Sequence, residues 1–130
     1  MNFSWAVLGW IALGGAAGSV TRGLVALALP SRFPWATLLI NVAGSMLIGW
    51  LMARLGGLEL ESATRWRAVL VTGFCGGFTT FSAFSLQTLD LARENHWAQA
   101  GGNVLLSLVA CLIAVWAGHM LAAAMIPAQD

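Results

Sequence analysis

The spacing of charge constrains this chain before any motif does. Its only formal charges are six arginines and five carboxylates, and they leave four neutral stretches, 1–21, 33–53, 68–89 and 95–129. About 20 apolar residues in a helix cross the hydrocarbon core of a bilayer. Each stretch therefore predicts one span, at about 4–29, 35–52, 68–92 and 98–125, the fourth stretch being longer than a crossing requires. Only 8% of the residues are charged and 59% are hydrophobic, whereas a soluble domain carries about a quarter charged residues. The expectation is an all-α membrane protein, with residues 1–130 forming a single four-span domain and no soluble domain left over. The small residues Ala16-Ala17-Gly18-Ser19 look like a signal-cleavage site. No basic residue precedes Arg22 to make a charged leader, so the first span is expected to be retained.

The third stretch is unlike the others. Residues 73 to 84 read Gly-Phe-Cys-Gly-Gly-Phe-Thr-Thr-Phe-Ser-Ala-Phe, which places glycines and hydroxyls at the depth where a helix should be most regular. In lipid, non-helical backbone survives only where protein buries it or where it lines a cavity. A break over Gly76–Thr79 would free carbonyl oxygens, which in broken transporter helices coordinate cations. A glycine kink that only permits close packing is the plainer alternative. Phe81 and Phe84 share a face on a helix restarting after Thr80. Packing usually explains two such rings, but here Thr79, Thr80, Ser82 and Ser85 surround them. An aromatic ring has a positive edge, and ring edges in a dehydrated passage would hold a small anion without a full charge. A lysine would hold it too tightly, because conduction needs weak, multiple sites.

Other polar groups at depth are few. Asn41 reads either as interhelical glue or as an amide donor facing a small anion. Asn103, Ser107 and Cys111 recur every four residues in the fourth span and form one weakly polar stripe. His119 stands alone, and neither Cys75 nor Cys111 has a metal-ligand spacing. Nucleotide, hydrolase and metalloprotease motifs are absent, so no enzyme activity and no nucleic-acid partner are expected. Gly14, Gly15 and Gly18 give the small-residue spacing that lets another helix approach closely. Trp5, Trp35, Trp66 and Trp97 fall near predicted span ends, where an aromatic belt belongs.

Arginine distribution bears on orientation. Four spans place Arg54, Arg65 and Arg67 on one side and Arg22, Arg32 and Arg93 on or near the other. Basic residues normally gather on the cytoplasmic side. Three against three permits insertion both ways round and hence an antiparallel homodimer. If Arg22 is buried and does not count, a weak bias remains.

Three segments together carry a family resemblance: Gly14-Gly15-Ala16-Ala17-Gly18 leading to Arg22, Thr37-Leu38-Leu39-Ile40-Asn41-Val42-Ala43-Gly44, and the run from Gly73 to Phe84. In these the chain strongly resembles the bacterial fluoride channel family, called Fluc or CrcB. The resemblance implies a dual-topology homodimer in the bacterial inner membrane, with two antiparallel pores that export fluoride passively and lower its toxicity. It implies a structural sodium ion at the dimer centre, held by backbone carbonyls that map to Gly76 and Thr79. It assigns the pore phenylalanines to Phe81 and Phe84, the pore amide to Asn41, and pore hydroxyls to Ser82 and Ser107. Ala83, Gln87 and Cys111 depart from the family pattern of Thr, Glu and Ser. A small multidrug exchanger is also a four-span dual-topology dimer, but it needs an intramembrane carboxylate. Here the only acids near a span are Asp90 and Glu94, at the end of the third. A non-transporting assembly subunit, with polar residues serving packing alone, is the other rival.

Overall fold

Four helical passes follow the neutral stretches in a computed structural model that describes residues 4–125. The first is α1, Trp5–Ala28, and the second is α2, Trp35–Leu55. The third runs from Leu60 to Arg93 in pieces: α3, Leu60–Trp66, a π-helical stretch, Arg67–Cys75, the single turn α4, Gly76–Phe78, and α5, Phe81–Arg93. The fourth is α6, Trp97–Ala124. No strand occurs among the described residues. All four passes are long and apolar enough to cross a bilayer, so the chain is a multi-pass membrane protein.

Boundaries depart from expectation chiefly at the third pass, which begins at Leu60 instead of 68 and spans 34 residues. At ~1.5 Å per residue that exceeds the ~30 Å hydrocarbon core. Its first turns carry Glu61, Arg65 and Arg67, side chains that are costly in hydrocarbon. Charge marks where lipid ends, and a helix can continue past that point. Trp5, Trp35 and Trp97 are the first residues of α1, α2 and α6, and Trp66 is the last of α3. All four are exposed, as anchors at the two interfaces should be.

The connections have local causes. Pro34 precedes α2 with φ −76°, a dihedral its ring fixes, and it has no N–H to leave orphaned. Between α5 and α6, Asn95 takes φ 63°, a left-handed conformation that asparagine tolerates better than most residues. It ends α5 with paired bonds, Asn95 N–H to the Ala92 carbonyl at 3.1 Å and His96 N–H to the Leu91 carbonyl at 2.8 Å. These are the two bonds of a Schellman cap.

Packing joins the passes in pairs. α1 lies along the π-helical stretch and α4, α2 lies along α6, and α5 turns to α6. Lipid supplies no hydrophobic force between helices, so close backbone approach must provide the attraction. A methyl placed on Gly14 or Gly18 would strike the backbone of Val69 or Phe74. Gly49 and Gly118 make a reciprocal seam, against Val115 and Met46. The small-residue reading of α1 is thus realised, with the third pass as its partner. Leu51 and Leu55 of α2 bury against Cys75, with Leu70, Val71 and Phe74 around them.

Candidate functional site

The interruption of the third pass is two residues long. Thr79 has φ −80°, ψ 158° and Thr80 φ −153°, ψ 115°, both ordinary extended conformations. Gly76 is still helical at φ −63°, ψ −37°. The break expected over Gly76–Thr79 therefore lies at its end, at Thr79–Thr80. The glycines are not what opens the backbone: a methyl on Gly77 would collide with the Gly15 backbone, so this residue belongs to the seam with α1.

Side chains from two other passes hold the opened backbone. Asn41 on α2 accepts from the Thr80 N–H at 2.8 Å and donates through Nδ2 to the Thr80 carbonyl at 3.0 Å. Since the Thr80 N–H goes to Asn41, the Gly76 carbonyl loses its helical donor. From α1, the Ser19 hydroxyl donates to the Gly77 carbonyl at 3.4 Å, and Arg22 Nη1 reaches the Thr79 carbonyl at 3.5 Å. The Thr79 hydroxyl donates to the Cys75 carbonyl at 2.9 Å. Thr80 then caps α5, its Oγ1 accepting from the Ala83 N–H at 3.1 Å, a role threonine suits. Backbone polar groups released from a helix need other partners, and α1 and α2 supply them here for Gly77, Thr79 and Thr80.

A groove of about 840 Å³ opens along this interruption between α2, the third pass and α6. Asn41, Gly76, Thr79, Phe81, Phe84 and Ser107 all line it, and no lining residue is charged. Six of the seven residues that the sequence singles out thus meet in one place. Ser82 is the exception: it is exposed at the first turn of α5, within 3.2 Å of the Thr80 hydroxyl. Phe81 and Phe84 lie with ring centroids 5.3 Å apart, tilted by 46°. Phe81 is 79% exposed, whereas Phe78, three residues earlier, is 8% exposed. One ring packs within the chain and the other points out of it.

Asn41 carries out the interhelical role directly. One Nδ2 hydrogen and Oδ1 are engaged with Thr80, and an amide nitrogen has a second hydrogen. The site also includes side chains whose partners the sequence did not indicate. Thr88 Oγ1 donates to the Phe84 carbonyl at 2.7 Å, Asn103 Nδ2 donates to Thr88 Oγ1 at 2.9 Å, and Ser107 Oγ donates to Asn103 Oδ1 at 3.4 Å. The four-residue spacing of Asn103 and Ser107 hinted at this column, but nothing marked Thr88 as its other end. Cys111 lines the groove as a free thiol. His119 lies exposed on α6. Among the described residues no three His, Cys, Asp or Glu side chains gather into a metal-binding group.

The profile of one protein family, described as CrcB-like protein, Camphor Resistance (CrcB), matches residues 9–119. A relative from Opitutus terrae, called fluoride-specific ion channel FluC, is 54% identical over 119 residues, covering 87% of this chain and 89% of the relative. Relatives of the same description from Methylocella silvestris and Paramagnetospirillum magneticum are each 49% identical. They cover 95% and 86% of this chain, and 95% and 91% of their own lengths. The chain belongs to the CrcB-like family.

Proposed function

We propose that this chain is a fluoride-selective ion channel, a passive conductor and not an enzyme, which exports fluoride from the cytoplasm across the bacterial inner membrane. The observation that carries the reading is the groove itself: it combines two phenylalanine rings, hydroxyls and an amide, and no charge lines it. The names of the relatives point to the same ion.

Fluoride is small and strongly hydrated, so a path must replace water with donors of its own. The edges of Phe81 and Phe84 offer positively polarised C–H groups. Ser82 offers a hydroxyl, Ser107 brings one that rests against Asn103 and can turn to the ion, and Asn41 offers the Nδ2 hydrogen that Thr80 does not use. None is a full positive charge, so the ion leaves as readily as it enters. In an acidic exterior, hydrogen fluoride enters the cell and dissociates, and a passive path lets the anion return.

The channel is an antiparallel homodimer. Phe81 projects from the single chain, and the path it lines is completed by a second copy. Gly76 leaves room for it: the residue is exposed beside the groove, and a methyl there would meet nothing within 4 Å in its own chain. Arginines divide three against three, or three against two without Arg22, which turns to the Thr79 carbonyl, and either division is close enough to suit insertion in both orientations. A structural sodium ion fits the central carbonyls, since hard cations take oxygen ligands. Gly76 O lacks its helical donor, and Thr79 O retains a lone pair beside the long 3.5 Å approach of Arg22. Two copies would present these carbonyls twice. Bound there, the ion would supply fixed positive charge that ties the two copies together.

Liposomes containing the purified protein and loaded with fluoride should empty once a potential shunt is supplied, and chloride-loaded liposomes should not. Absence of fluoride efflux from a folded dimer would overturn the reading. Phe81→Ile and Phe84→Ile should each suppress efflux while leaving the dimer intact by size-exclusion chromatography. Unchanged efflux in both would remove the ring edges from the path.

A further inference from the structure

The polar column between α5 and α6 has a direction, and its first member sets it. The Phe84 carbonyl can only accept, so the Thr88 hydroxyl commits its single hydrogen there, at 2.7 Å. Thr88 Oγ1 must then accept from its other neighbour. This requirement turns the Asn103 amide so that Nδ2 faces Thr88, at 2.9 Å, and Oδ1 faces Ser107. The reversed amide would set two acceptors against each other. Oδ1 also only accepts, so the hydrogen between Asn103 and Ser107 belongs to Ser107. A backbone carbonyl three bonds away thus decides that the Ser107 hydroxyl faces the groove with lone pairs instead of its hydrogen.

We propose that Asn103 is a positioning residue for permeation: it withholds the Ser107 hydrogen from the groove and thereby shortens the stay of fluoride at Ser107. The inference rests on the channel reading above. To donate to fluoride, Ser107 must rotate away from Asn103. That leaves Oδ1 without its donor on a side chain only 1% exposed, and an unpartnered buried acceptor is costly. The bond given up is the weakest of the three, at 3.4 Å against a usual ~2.7–2.8 Å for O–H···O, so the exchange is within reach. The ion gains a donor only while the column is broken, and the column draws the hydrogen back once the ion moves on. Reversible denial of a donor is one way to meet the requirement that a conduction site bind weakly.

The test is the fluoride-concentration dependence of efflux from liposomes holding the full-length dimer. Asn103→Leu removes the competing acceptor. The half-saturating fluoride concentration should fall about tenfold, equivalent to ~1.4 kcal/mol, and the maximal rate should fall with it. Where Asn103→Leu alone fails to fold, Asn103→Leu with Thr88→Val makes the contact apolar throughout and should show the same shift. In a Ser107→Ala background either change should leave half-saturation within about twofold, because the hydrogen at issue is gone; the tenfold contrast follows the same conversion. Unshifted half-saturation in a folded Asn103 variant, or an equal shift in the Ser107→Ala background, overturns the inference. If the unmodified protein carries fluoride and the variants do not shift, this inference alone falls. If the unmodified protein carries none, the channel reading falls and takes this one with it.

Discussion

The two halves of the third pass are held in opposite ways. Before the interruption, contact is backbone on backbone: Gly73 and Gly77 face α1, whose Gly14, Gly15 and Gly18 return the approach. After it, contact runs through side chains, with Thr88, Asn103 and Ser107 forming a directed column between α5 and α6. The first arrangement is closely packed and chemically blank. The second exposes functional groups and leaves them able to exchange hydrogen bonds. One membrane pass thus serves as scaffold on one side of Thr79–Thr80 and as lining on the other.

Substitutions can break this contrast. The largest effect is expected at Gly14→Val, where the new side chain meets the Val69 backbone, which cannot rotate away. The cost should reach the upper end of the ~1–3 kcal/mol typical of overpacking, read as loss of folded protein on thermal unfolding in detergent. Asn41→Leu should follow: it strips both partners from the Thr80 backbone, at ~1–3 kcal/mol for each group left unsatisfied. Efflux should be lost along with the stability. If efflux falls while the melting point holds, Asn41 acts on the ion more than on the fold.

A paired comparison sharpens the distinction further. Gly77→Ala collides with the Gly15 backbone and should cost roughly 2 kcal/mol, whereas Gly76→Ala meets nothing in its own chain. The second should leave the stability of the single chain within ~0.5 kcal/mol and yet impair dimer formation. A normal dimer from Gly76→Ala would deny that another copy comes close at this point. The smallest effect belongs to Thr80→Ala, which removes the cap of α5 at a cost of about 1 kcal/mol. It should be visible as faster hydrogen exchange in the first turn of that helix.

Much of this was legible in the chain. Neutral stretches fixed the number of passes, because a charge in hydrocarbon is costly wherever it falls. The glycines of α1 announced a close partner for the same kind of reason. The position of the interruption was less legible. Gly76 and Gly77 looked like the weak point, yet both are helical. The helix opens at two threonines because Asn41, some 39 residues earlier, offers Thr80 a better pair of bonds. Residue preference is local and this bond is not. Thr88 was invisible for the same reason: only the fold brings it to Asn103, 15 residues on. The charged start of the third pass was missed because hydrophobicity reports the lipid boundary and says little about helix length.

The shape of the interruption is set within one chain. Ser19, Arg22 and Asn41 hold the Gly77, Thr79 and Thr80 backbone from inside the same copy and leave the Gly76 carbonyl open. In the proposed dimer, association then needs no refolding of the broken segment, and the entropy of ordering it is lost before the copies meet. Pairing becomes the docking of two ready surfaces, and its rate should depend on how often oppositely inserted copies collide in the plane of the membrane. Unequal insertion would leave the majority orientation waiting, correctly folded, for a scarce counterpart.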